Sequence, residues 1–109
     1  RSSFFIKNFS KIITDVDNYL KQNKIELYVI YLPSYSRITN REYNESKYKK
    51  VMNILNDKQI KIIDIYKEIF KNKKNIINLF TLSGAGHYNY EGYRLISEIV
   101  YKKISGQKF

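Results

Sequence analysis

Residues 25–32 read IELYVIYL and are followed at once by Pro33. The run is dense in β-branched and aromatic residues, and its length suits a buried strand that the proline stops. A second run of this kind, IKIIDI at 60–65, has the same character. Everything else in the chain is arranged around these two segments.

On the N-terminal side, apolar residues fall at Phe5, Ile6, Phe9, Ile12, Ile13, Val16, Tyr19 and Leu20. This spacing predicts a helix from Phe4 to Gln22, ended by Asn23 and Lys24. Between the two runs lies PSYSRITNREYNES, read as a polar, irregular loop. A helix over Glu45–Asn56 follows, with Tyr48, Val51, Met52 and Leu55 on one face. After the second run a short helix, YKEIFKN, is expected, and Asp64 is placed to cap it. Residues 73–86 read as loop, except that IINLF should pack down. The last helix should start at Asn89 and reach Ile104, with Tyr93, Ile96, Ile99, Val100 and Ile104 as its apolar stripe. Asn89 can cap it, and Glu91 favours the positive end of its dipole. Gly92 costs that helix about 1 kcal/mol relative to alanine, which makes sense if another element must approach closely there.

Helix and strand alternate, which argues for an α/β fold with a parallel sheet. Independent sheets need about three strands or more, and only two are convincing. The chain begins at Arg1, in what reads as a helix already under way. The expectation is therefore a single partial domain over residues 1–109, the C-terminal part of a larger α/β domain. On that reading, apolar surface meant for the remaining strands is left exposed.

The 109 residues carry 20 Lys or Arg against 10 Asp or Glu, a net charge of +10. Only four of the cations are arginine, the residue preferred for bidentate phosphate and guanine contacts. Lysines occur on every expected helix and on the second strand, with no one-sided stripe. A basic module binding nucleic acid or another anionic polymer is thus a competing reading, and the scatter argues against it. The chain has no cysteine, which excludes disulfides and thiolate metal sites. A single histidine argues against an imidazole zinc site, and no cofactor is expected. No apolar run approaches the roughly 20 residues of a bilayer span.

That one histidine, His87, sits in SGAGHYNYEGY at 83–93, just before the last helix. In open parallel sheets the chemistry lies beyond the carboxyl ends of the strands. The His87 loop leads to the same edge as Pro33 and Ile65. Gly84 and Gly86 permit the backbone angles of a tight loop. Read only as a lone loop histidine, His87 is a surface or packing residue.

The block GHYNYEGYRLISEIVYKKI resembles the last motif of the SGNH (GDSL-type) hydrolases, through His87, Asn89, Glu91 and Gly92. IKIIDIYKEIF and LYVIYLPSYSR resemble the elements that precede it, so the likeness covers Glu26 to Ile104. It implies a three-layer, parallel-sheet, flavodoxin-like fold of which this chain is the end. It also implies a serine esterase or acyltransferase in which His87 is the general base. The implied substrate is an ester-bearing small molecule or an acylated carbohydrate. In the family the nucleophile comes from a Gly-Asp-Ser block, and no such block occurs here. Ser34 follows a strand without a preceding glycine and reads as a loop residue. Three residues before His87 stands Gly84, where the family has its aspartate. This leaves a Ser–His dyad or another carboxylate to orient the ring. Asp64 is the nearest candidate, although helix capping is the preferred reading for it. A domain end that has lost its chemistry is a third reading. Tyr88, Tyr90 and Tyr93 could line a carbohydrate or acyl pocket, with packing preferred for Tyr93. Arg37 and Arg41 read as solvated loop cations.

Overall fold

The computed structural model describes residues 2–71, 76–81 and 86–106. The elements are α1 (Ser2–Gln22), β1 (Tyr28–Tyr31), α2 (Tyr35–Thr39), α3 (Ser46–Asp57), β2 (Lys61–Asp64), a π-helical turn (Tyr66–Phe70), a 3₁₀ turn (Ile76–Leu79) and α4 (Tyr90–Ile104). The chain is thus mixed α/β, and β1 and β2 pair as a two-stranded parallel sheet. No helix among the described residues is long and apolar enough to cross a membrane.

The chain divides into two compact units, Arg1–Val29 with Asn44–Ile62 and Ile30–Tyr43 with Ile63–Phe109. In the first unit, α1 and α3 pack through Ile13, Leu55 and Ile60. Phe9, Leu27, Val29, Val51, Ile54 and Ile62 close around those three. Both helices end in the same way. Lys24 and Gln59 take positive φ of 58°. Ile25 N–H then reaches back to Leu20 O at 2.8 Å, and Ile60 N–H to Leu55 O at 3.0 Å. This is the Schellman arrangement, which satisfies otherwise orphaned carbonyls and turns the chain sharply out of the helix. On α1 the apolar stripe is wider than the face it uses. Ile13 is buried, whereas Ile12, Val16 and Tyr19 on the adjoining flank are exposed.

In the second unit, Ile63, Ile65, Ile69, Phe70, Leu79, Phe80 and Ile96 are buried. Phe80 is the centre of an aromatic cluster. It stacks on Tyr88 at 4.6 Å, meets Tyr35 edge-on at 5.2 Å and lies 5.9 Å from Phe70. Such pairs contribute about 0.5–1.5 kcal/mol each beyond their area burial. IINLF does pack down, through Leu79 and Phe80.

Three expectations are corrected here. Residues 35–39 form a helix rather than irregular loop, because Ser34 caps them by accepting Arg37 N–H at 3.1 Å. The first strand is shorter than expected and only partly covered, with Ile25, Ile30 and Leu32 exposed. On α4, Gly92 and Ile96 are buried and Tyr93 packs its ring edge-on against Tyr88 at 5.6 Å, but Ile104, expected in the apolar stripe, lies on the open side.

Candidate functional site

The segment carrying His87 is held from both sides. Phe80 and Tyr88 form an antiparallel bridge. Thr81 N–H donates to His87 O at 2.7 Å, and Asn89 N–H to Leu79 O at 2.9 Å. Gly86 takes φ of +77°, a backbone region that favours glycine. Gly84 and Ser83 lie outside the described residues.

Asn89 has several duties. Its Oδ1 accepts Gly92 N–H at 2.9 Å and so caps α4. Its Nδ2 donates to Asn78 O at 2.6 Å and Phe80 O at 3.1 Å. Gly92 is needed for space, since a Cβ there would sit 2.4 Å from the Leu79 carbonyl oxygen. The close approach suggested by a glycine inside a helix is therefore present, and the 3₁₀ turn makes it.

Tyr88 fastens the same segment to the carboxyl end of β1, its hydroxyl donating to the Pro33 carbonyl. His87 is the residue before this tie. Its side chain is exposed and makes no hydrogen bond or ion pair with a described residue. Asp64, at the carboxyl end of β2, accepts Lys67 N–H at 3.2 Å, the capping role.

Arg37, read from the sequence as a solvated loop cation, is instead buried here. Arg37 is only 8% exposed. Its guanidinium lies 4.2 Å from the Tyr66 ring centre, 5.2 Å from Tyr43 and 5.8 Å from Tyr31. Ring faces are attractive surfaces for a flat, weakly hydrated cation, and lysine is a poor substitute. Arg37→Lys is expected to lower stability by about 1–2 kcal/mol, measured by urea unfolding, whereas Arg41→Lys, at an exposed site, should be neutral.

Burial pushes the Tyr31 phenol up to about 12, against the opposing pull of the Arg37 charge. Burial also raises the Tyr88 phenol well above its ordinary range. In both cases the native state favours the protonated form. The unfolded chain releases these protons first, near pH 10. Their contribution is therefore fully present below about pH 10 and is lost as pH rises through the folded values. Urea midpoints should fall between about pH 10 and 12, in step with tyrosinate absorbance, and Tyr31→Phe should flatten the fall.

Among the described residues there is no cluster of three or more His, Asp, Glu or Cys side chains suited to a metal ion. No family model, curated protein or solved structure matches the chain.

Proposed function

We propose that this chain is the C-terminal part of an SGNH-type serine ester hydrolase or acyltransferase, in a three-layer parallel-sheet domain, and that His87 is its general base. One observation carries the reading. In the His-x-Asn-x-x-Gly block, Asn89 and Gly92 each have a structural duty, whereas the His87 imidazole has none and stands exposed one residue before the Tyr88 tie to Pro33. Exposed Ile30 and Leu32 along β1 also support a larger sheet.

In this mechanism a serine from a Gly-Asp-Ser block attacks an ester carbonyl, and His87 takes the hydroxyl proton. The tetrahedral intermediate collapses, the carbonyl re-forms, and the proton passes from His87 to the leaving alcohol. Water or an acceptor hydroxyl then attacks the acyl-enzyme by the same route in reverse. The ring acts in a Ser–His dyad or is oriented by a carboxylate, for which Asp64, whose Oδ1 accepts Lys67 N–H, is one candidate. The substrate class is an ester-bearing small molecule or an acylated carbohydrate. The test is ester hydrolysis by the product of the complete reading frame, with and without His87→Ala.

A further inference from the structure

We propose that Tyr88 is the positioning residue for His87: by holding the Pro33 carbonyl, its hydroxyl fixes the backbone from which the imidazole projects. The proposal rests on the hydrolase reading and adds to it the group that keeps the general base in place.

A general base works only where its ring meets the proton it takes, and a small displacement costs a large factor in rate. The His87 side chain is exposed, so packing does little to hold the ring. Its placement must come from the backbone on either side. Both sides are fastened to the same stretch, residues 33–35, just beyond β1. Before His87, Gly86 takes φ of +77° and lies against Tyr35, since a Cβ there would come 3.4 Å from the Tyr35 Cβ. After it, the Tyr88 hydroxyl donates to the Pro33 carbonyl. Between the two, the His87 carbonyl accepts Thr81 N–H at 2.7 Å. All of these residues belong to the second unit.

The stretch that receives the Tyr88 hydroxyl is itself held. Pro33 is fully buried. Ser34 accepts Arg37 N–H at 3.1 Å and so starts α2. The Arg37 side chain is enclosed by the Tyr31, Tyr43 and Tyr66 rings. The tie therefore ends on an anchor rather than on a loop free to follow it.

Packing alone does not call for a phenol at position 88. The ring stacks on Phe80 at 4.6 Å, lies 5.9 Å from Phe70 and meets Tyr93 edge-on at 5.6 Å. A phenylalanine would fill the same place. What the hydroxyl adds is one directional bond across 55 positions of sequence, made by the residue next to the one histidine. Burial raises this phenol above its ordinary range, so it stays a donor at neutral pH.

The test is a double-mutant cycle on ester hydrolysis by the product of the complete reading frame. Tyr88→Phe keeps the stack and removes the bond, and circular dichroism should show the fold unchanged. It is expected to lower kcat about ten- to hundredfold with KM unaltered. In a His87→Ala background the same change should have no further effect, because it acts only through the imidazole. Gly86→Ala, which strains the other fastening, should show the same pattern and serves as the second variant. Tyr88→Phe turning over like the parent, or a loss of equal size with and without His87, would overturn the proposal while leaving the hydrolase reading in place. His87→Ala hydrolysing as fast as the parent would overturn both.

Discussion

His87→Ala, made in the product of the complete reading frame, is expected to slow ester hydrolysis by about 100- to 10,000-fold. Positioned proton transfer contributes that much, and no other imidazole exists in these 109 residues to replace it. The same change should leave stability within about 0.5 kcal/mol of the parent, because the exposed ring makes no hydrogen bond or ion pair with a described residue. The loss should fall on kcat rather than KM, since a general base acts on the transition state. A packing histidine would behave in the opposite way, with stability falling and turnover changing only in proportion to the folded fraction. The expected dissociation between activity and stability is therefore specific to a chemical role.

Gly92→Ala carries the second large effect, and its sign is the informative part. Helix propensity alone predicts a gain of about 1 kcal/mol. The packing predicts a loss, because the new Cβ would lie 2.4 Å from Leu79 O, a backbone atom rather than the end of a flexible side chain. That oxygen also accepts Asn89 N–H at 2.9 Å. Relieving the clash therefore moves the 3₁₀ turn and weakens the bond that starts α4. Overpacking costs typically 1–3 kcal/mol, and a lost hydrogen bond adds about 1. The net expectation is a destabilisation of about 1–3 kcal/mol, read as a fall in Tm of roughly 5–15 °C. Thermal unfolding of the 109-residue chain measures it. A rise in Tm would show that Leu79 does not approach α4 so closely.

Much of this was legible before the structure, and the pattern of success has a physical basis. Long helices announce themselves by periodicity, and α1, α3 and α4 lie within two residues of their expected bounds. Local capping chemistry was also readable, as Asn89 on α4 and Asp64 on the π-helical turn show. Other features depend on residues far apart in the chain. Arg37 looked solvated because Tyr31, Tyr43 and Tyr66, which cover it, come from three separate segments. Helix α2 was missed because five residues are too few to show a period. Ile104 falls on the apolar stripe of α4 yet is exposed, because periodicity tells which residues share a face and not how wide a covered face will be. The same reason explains the exposed flank of α1. At the site, His87 was singled out by sequence, and the fold shows its neighbour Tyr88 tied to Pro33 just beyond β1. The Tyr88 hydroxyl that fastens it to Pro33 was not foreseen, since those residues are far apart in sequence.

The most direct measurement on the central claim is covalent labelling of the complete gene product with a fluorophosphonate, followed by peptide mapping. The account predicts a label on the serine of a Gly-Asp-Ser block, its rate sharply reduced by His87→Ala. A folded full-length protein that takes no label, or takes it equally fast without His87, would contradict the role assigned to this histidine.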